Sequence, residues 1–350
     1  MIMSNRVMKI LVPAVAIFLG LLVGAIVMLF SGYDPVQGYI ALWDGIFGSS
    51  YSIGETIRQI SPYILAGLAV AFAFRTGLFN IGVEGQLIVG WFAAAYVGMA
   101  FELPTIIHLP LALIAAALAG ALWGLIPGIL KATLRVHEVI VTIMMNYIAL
   151  HVVNALIKTI SGGSFKLDKI NQTASLRSEF LSKLTDFSTL HYGIIIALIM
   201  VAVMWFILEK TKTGYELKSV GFNEEASRYA GMNTNKNIVL SMVISGAFAG
   251  LGGAMEALGT FGNISSMGGF TGIGFDGIAV ALLGANTPLG VIFGATLFGS
   301  LKYGSNNMPN AAGIPVEIVS IVIALIIFFV ASGYIIRVVL NRMGKKKEAK

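Results

Sequence analysis

The sequence predicts an all-α, polytopic membrane protein, with about ten transmembrane helices, a short cytoplasmic helix and both termini in the cytoplasm. Three observations carry that prediction. Apolar residues make up 57% of the 350 and charged residues only 11%, against roughly 25% charged in soluble domains. Mean hydropathy is +0.86, and a water-soluble globule cannot hide that much apolar surface. Lys and Arg gather between apolar runs, as positive charge does on the cytoplasmic side of a bilayer. This composition excludes a soluble enzyme, a disordered chain and a nucleic-acid-binding domain. The net charge, 23 − 17 = +6, reflects membrane topology, and no nucleic-acid polymer is expected as a partner. The absence of Cys removes disulfides and thiolate metal or redox sites.

A membrane helix needs about 20 mostly apolar residues. The runs that qualify are 10–30, 60–74, 78–101, 109–130, 138–158, 191–208, 238–260, 274–285, 288–303 and 316–337. The first has a basic start, Arg6 and Lys9, but its apolar stretch is longer than a signal core and predicts a retained helix. The second and eighth are short for a crossing. Only Asn286, Thr287 and Pro288 separate the eighth from the ninth, which predicts a tight hairpin. Arg75, Lys131, Arg135, the five basic residues of 209–237 and the basic tail 338–350 all fall inside if the spans number ten. The loop 159–190 disagrees, with Lys166, Lys169, Arg177 and Lys183 on the outside. The whole chain, 1–350, reads as a single transmembrane bundle with one long cytoplasmic loop at 209–237.

Glycines recur four apart at Gly20/Gly24, Gly120/Gly124/Gly128, Gly246/Gly250 and Gly290/Gly294. Small residues at that spacing let helices approach closely in lipid. Packing within the bundle is the leading expectation, and Gly246/Gly250 is the pair best suited to a dimer face.

Several motifs fail. No G-x-x-x-x-G-K-[ST] phosphate loop exists. Gly272-Ile273-Gly274-Phe275-Asp276-Gly277 fits a dinucleotide fingerprint without the strand it requires, and reads as a loop with positive φ. His137-Glu138 lacks the second His of a zinc motif, and no metal site or catalytic group is expected.

Polar residues inside apolar runs are site candidates, because hydrocarbon penalises them unless they are paired or wet. Asn80, Glu84 and Gln86 interrupt the third run among Gly77, Gly82, Gly85 and Gly90, where a helix can break. They read as lining or bracing a polar path, or as a tie between two helices. Asn146, mid-span, reads as a ligand contact or a bond to a neighbouring helix. Glu256 and Asp276 are weaker candidates of the same kind.

In the 209–237 loop, Asn223 suits an N-cap, Glu224 and Glu225 the first turn, Arg228 the last turn and Gly231 the C′ position. Ala226, Tyr229 and Ala230 form an apolar stripe. The segment reads as one short amphipathic helix, a plain surface element or a lever that fits a partner's groove.

Gly221 to Met232 resembles the coupling segment of permease subunits of bacterial ATP-binding-cassette importers, in the ribose and branched-chain amino-acid permease family. Gly77 to Gln86 is similar to the nucleoside and simple-sugar branch, which works with a Bmp-type lipoprotein receptor, and Gly284 to Gly290 also fits. The resemblance covers about 55–337. It implies a non-enzymatic transport subunit in the bacterial cell membrane, most like a nucleoside importer. It also implies partners: cytoplasmic ATPase subunits that consume the ATP, a second related permease and an external lipoprotein receptor. Asn223, Glu224, Glu225, Ala226, Arg228 and Gly231 would couple to the ATPase, and no cofactor is held by this chain. Ribose-like sugars or branched-chain amino acids are the alternative cargoes, and an ion-driven secondary transporter is the alternative class.

Overall fold

A computed structural model describes residues 5–332, with side chains for most of them. In chain order the helices are α1 (Asn5–Phe30), α2 (Pro35–Phe47), α3 (Ser50–Arg75), α4 (Val83–Ala100), α5 (Thr105–Leu134), α6 (Glu138–Ile160), α7 (Glu179–Leu184), α8 (Gly193–Lys210), α9 (Lys212–Phe222), α10 (Glu224–Tyr229), α11 (Thr234–Ala254), α12 (Ile273–Leu283), α13 (Pro288–Gly304), α14 (Met308–Ala312) and α15 (Val316–Ala331). A π-helical turn, Met255–Phe261, continues α11. No strand occurs among the described residues. Among the described residues six helices are long and apolar enough to cross a membrane: α3, α4, α5, α6, α8 and α11 with its extension. The described apolar parts of α1 and α15, and all of α12, are shorter. Residue 337 and the basic tail 338–350 lie outside the described residues.

The chain divides into two compact units. The first comprises 1–56 and 300–350. In it Gly20 and Gly24 bring α1 against Ile326 and Val322 of α15. The loop expected at 31–57 instead carries α2 and the start of α3. Asp34 caps α2, its Oδ1 accepting from the Val36 amide at 2.8 Å, and Pro35 presets the first helical φ. Composition hid this helix because it is too short and too polar to pass as a span.

The second unit, 57–299, holds the long helices. From Leu65 to Ala73, α3 is buried on every face, as befits a helix apolar all round. It begins ten residues earlier than the expected 60–74 and is not short. Helix α5 is sorted the opposite way from a soluble helix. Its large residues Ile114, Leu118 and Leu122 are exposed, while Ala112, Ala116, Gly120 and Gly124 are buried. Lipid accepts the large side chains, and the small ones let α11 approach. A Cβ on Gly120 would strike the Gly246 carbonyl, one on Gly250 the Ala116 carbonyl, and one on Gly124 the Met242 carbonyl. Gly246 and Gly250 are therefore spent on the α5–α11 seam and cannot form a dimer face.

The basic ends of α3 and α5, the starts of α4, α6 and α11, and helices α9 and α10 meet at one end of this unit. There Arg75 pairs with Glu209 at 3.4 Å, Lys218 with Glu209 at 2.9 Å and Lys131 with Glu138 at 2.7 Å. The discordant loop, expected at 159–190 and bounded by the end of α6 at Ile160 and the start of α8 at Gly193, lies at the other end. Its charge is partly structural: Arg177 donates through Nε to the Gly259 carbonyl at 2.7 Å and through Nη2 to the Thr260 carbonyl. It satisfies the C-terminal end of the α11 extension, a task that calls for a cation irrespective of topology.

The segment 274–285 is α12, only 11 residues or about 16 Å long, and the hydrocarbon core is about 30 Å. With α13 it forms the expected hairpin, in which Gly284 and Gly290 touch backbone to backbone. Thr287 Oγ1 closes the turn on the Gly284 carbonyl at 2.8 Å.

Gly246→Val should force α5 and α11 apart, an overpacking loss of about 3 kcal/mol or more because backbone rather than a flexible side chain stands in the way. Thermal unfolding in detergent should show a clear drop in midpoint for Gly246→Val, and none for Leu122→Val on the exposed face of α5.

Candidate functional site

Between α3 and α4 the helix stops. Residues 76–82 are not helical, so the expected span 78–101 begins five residues later, at Val83. A break among buried apolar helices strips backbone groups of their partners, and each orphan costs about 1–3 kcal/mol. Side chains from other helices replace them. Asn146 of α6 accepts from the Gly85 amide at 2.8 Å and donates to the Ile81 carbonyl at 3.0 Å. Asn80 accepts from the Gly82 amide at 2.9 Å, and donates to Gln86 at 3.0 Å and to Ser245 of α11 at 2.8 Å. Ser245 in turn donates to the Ala69 carbonyl of α3 at 2.6 Å. Gly85 is obligatory here, because a Cβ would lie 2.9 Å from the Asn146 Cα.

Glu84 reaches furthest. It is 0% exposed, and its carboxylate accepts four bonds from the start of α12. Oε1 takes the Thr271 amide at 2.6 Å, the Thr271 hydroxyl at 2.7 Å and the Gly272 amide at 2.9 Å; Oε2 takes the Gly274 amide at 2.7 Å. These are orphan donors of a helix N-terminus, met by an anion at the positive end of the helix dipole. Gly272, at φ +84°, makes the turn that aims them.

The structure thus brings Asn80, Glu84, Gln86 and Asn146 together as one brace. None of the four is more than 1% exposed, and each is bonded to backbone or side chains of neighbouring segments. Of the two weaker candidates, Asp276 accepts from the Tyr63 hydroxyl at 3.1 Å. Glu256 is buried on the π turn beside Arg58, whose guanidinium donates to Thr260 at 3.2 Å.

The 223–231 segment is a second, separate locus. It forms the one short helix expected of it, α10, and a further helix that was not expected, α9, precedes it in the 209–237 loop. Thr211 caps α9, accepting from the Gly214 amide at 3.0 Å, and Asn223 ends it and caps α10, Oδ1 accepting from the Ala226 amide at 2.9 Å. Glu224 and Arg228 pair across one turn at 2.9 Å. At the far end the Met232 amide reaches the Ser227 carbonyl and the Gly231 amide the Arg228 carbonyl, each at 3.0 Å. That double bond pattern needs a left-handed residue, supplied by Gly231 at φ +81°. Ser227 is the buried residue of α10. Ala226, Tyr229 and Ala230 face outward, Tyr229 at 93% exposure, with Phe222 at 91% beside it. The apolar stripe is unburied by this chain, next to a cleft of about 500 Å³ lined by Lys131, Arg135, Glu224, Glu225, Arg228 and Asn233.

The two loci touch through α9. A Cβ on Gly221 would sit 2.5 Å from the Arg75 carbonyl oxygen and 3.0 Å from the Gly77 nitrogen. Val220 packs in a cluster with Ala73, Leu78, Ala132, Ile238 and Met242. Asn237 of α11 donates to Glu216 at 3.1 Å, a bond that holds the Glu216 carboxyl below the usual range.

Sequence reasoning missed Thr271 and Gly274, the partners of Glu84, because nothing in a linear pattern joins residues 187 to 190 positions apart. It also passed over Tyr147 and His151, both exposed on α6.

Residues 52–331 match the family described as the permease component of the branched-chain amino acid transport system. A guanosine ABC transporter permease protein of Bacillus subtilis, NupP, is 63% identical over 98% of this chain and 99% of its own. A nucleoside ABC transporter permease protein of Lactococcus lactis, NupB, is 44% identical over 97% and 95%. A second guanosine permease protein of Bacillus subtilis, NupQ, is 31% identical over 71% of this chain and 80% of its own.

Glu84→Gln keeps the shape but turns an N–H toward the amides of α12. Loss of charge-assisted bonds from a buried acceptor should cost about 2–4 kcal/mol. The variant should unfold at lower temperature in detergent, whereas Glu209→Gln, at an exposed pair, should shift the midpoint little.

Proposed function

The chain belongs to the permease component family of branched-chain amino acid transport systems, and from that membership we propose that it is the membrane permease of an ATP-binding-cassette importer for nucleosides. The names of the relatives that match it over nearly their full length carry the choice of cargo. The class also fits the chemistry: the sequence holds no phosphate loop, so the energy of transport is supplied by a separate ATPase.

In this reading the chain forms one permease domain of about ten membrane helices, the short α12 entering only part of the way, in the bacterial cell membrane, with both termini in the cytoplasm. The basic end of the long helices, from Arg75 to Lys236, faces inward. There α10 docks in a groove of the ATPase, and Asn223, Glu224, Glu225, Ala226, Arg228 and Gly231 form the coupling element. Two features favour α10 for that role. It is capped at both ends, so it moves as a unit, and its apolar stripe is exposed where a soluble partner can cover it. A second, related permease completes the membrane part, as the existence of two guanosine permease relatives in one organism invites. A lipoprotein receptor delivers the nucleoside from outside. Asn80, Glu84, Gln86 and Asn146 brace the broken helix beside the path.

The single observation that carries the mechanism is the packing of Gly221 on the Arg75–Gly77 backbone. A push on α10 is passed by α9 to the helix break, which has discrete side-chain bonds to exchange and can switch between arrangements.

Uptake of labelled guanosine or uridine by cells expressing the complex tests the cargo: it should disappear on deletion of this gene and be competed by unlabelled nucleosides but not by ribose or leucine. Glu225→Arg and Gly231→Val test the lever. Each should leave the protein in the membrane and lower uptake by roughly tenfold relative to ATP hydrolysis, within the usual range of coupling energies. Unchanged ligand-stimulated hydrolysis and uptake in both variants would remove the lever role.

A further inference from the structure

Between the π turn and α12 the chain runs without helix for residues 262–272, and its contacts fix its course. The Asn263 carbonyl accepts from Trp91 of α4 at 3.0 Å. Asn154 of α6 clamps Met267, accepting from its amide and donating to its carbonyl, both at 2.9 Å. The Phe270 ring meets Tyr147 of α6 at 5.0 Å, edge to face, and Phe275 at 5.5 Å. Thr271 ends on Glu84. The segment therefore descends alongside α4 from Trp91 to Glu84 and alongside α6 from Asn154 to Tyr147, within the length of two membrane-crossing helices.

Its middle is unlike the rest of the bundle. The backbone amides of Gly268, Gly269 and Phe270 have no acceptor among the described residues. Gly268, Gly269 and Thr271 are exposed, and a Cβ on either glycine would point into open space. On α6, next to them, Tyr147 is 49% exposed and His151, one turn on, is exposed too. Naked amides and an imidazole are costly against hydrocarbon, and non-helical backbone survives at such depth only where it is covered by protein or lines water. The open space over the glycines argues for water.

We infer that this strip, Tyr147 and His151 with the open backbone of Gly268–Phe270, is a substrate-contacting wall of the translocation path, and that it takes a planar heteroaromatic base. The inference rests on the nucleoside reading above and adds to it the residues that touch cargo. The chemistry matches that class. Tyr147 and Phe270 offer aromatic faces and edges to a base, the free amides offer donors to ring nitrogens or carbonyl oxygens, and the imidazole offers either. The buried brace of Asn80, Glu84, Gln86 and Asn146 then positions the strip without contacting cargo.

The chain contains no cysteine, so each introduced cysteine is the one thiol of this subunit, and labelling is read on this subunit alone. Gly269→Cys, Leu122→Cys on the outward apolar face of α5, and Lys183→Cys in the exposed α7 are each assembled into the full complex in vesicles. They are treated with a charged, membrane-impermeant thiosulfonate, with and without guanosine. The Gly269→Cys thiol should react at least about tenfold faster than that of Leu122→Cys, since a charged reagent enters water and not lipid. Guanosine should slow it severalfold, leaving Lys183→Cys unaffected. Labelling as slow as at Leu122→Cys places the strip against lipid or a partner and overturns the inference; so does labelling indifferent to guanosine in a complex that takes guanosine up. Uptake by the complex with this chain unaltered tests the nucleoside reading separately: if no nucleoside is carried, that reading falls, and the base-binding role with it, while the reactivity contrast still decides whether the strip is wet. In a transporting complex, Phe270→Leu should raise the guanosine KM by about tenfold and Phe270→Tyr should restore it, as loss and return of an aromatic contact do. Equal KM values in all three overturn the base-contact role.

Discussion

Water cannot repair a broken hydrogen bond in the interior of this bundle, and that constraint organises the second unit. A helix that stops at Arg75 and restarts at Val83 must find protein partners for its loose ends. Asn146, Asn80 and Glu84 are those partners, and each comes with a geometric demand. Asn146 requires α6 to lie within bonding distance of Gly85. Asn80 requires α11 to present Ser245. Glu84 requires the start of α12 to lie over α4. The mutual placement of four helices thus follows from the needs of one interruption, and the small residues at the α5–α11 seam let the helices come close enough to meet them.

An uninterrupted helix would have been cheaper. The cost of the break is offset by what it permits. Side-chain bonds to a backbone can be exchanged for others of similar strength, whereas the ladder inside a helix has no near-equivalent alternative. A region held by a handful of such bonds has discrete states, and packed helices on either side convert them into rigid displacements. Because α9 lies on the Arg75–Gly77 turn with no side chain between them, a displacement of α10 cannot be absorbed by rotamer changes at that contact. The glycine-to-backbone seam is the stiff contact on which the proposed lever relies.

Local features were legible in the sequence, and non-local ones were not. Asn223, Gly231 and the Thr287 turn could be recognised because capping is chemistry within five residues. The polar cluster at Asn80–Gln86 stood out because residue type alone marks an expensive group in an apolar run. Its role was ambiguous, since the same residues suit a wet path and a dry brace, and only the partners decide. Helix α2 was missed because its polar residues dilute its hydropathy, whereas the short run 274–285 is α12 almost to the residue. Arg177 stood against the ten-span count because a cation that caps a helix and one that faces the cytoplasm look alike in a string.

The exposed strip at Gly268–Phe270 escaped detection for a deeper reason. Its polar groups belong to the backbone, which every residue carries, so no residue type announces them. What does leave a trace is the space they need. A Cβ on Gly274 would lie 2.5 Å from the Cα of Glu84, so the carboxylate can reach three amides of the α12 start only if that position is glycine. Gly268 and Gly269 show the reverse case: room is available for side chains, yet none is present, and the amides stay bare. A glycine forced by contact and a glycine left open look identical in sequence. The first locks the brace, and the second keeps a polar surface free beside it. That division places the bonds that hold the fold and the groups available to cargo on adjacent turns of one short segment.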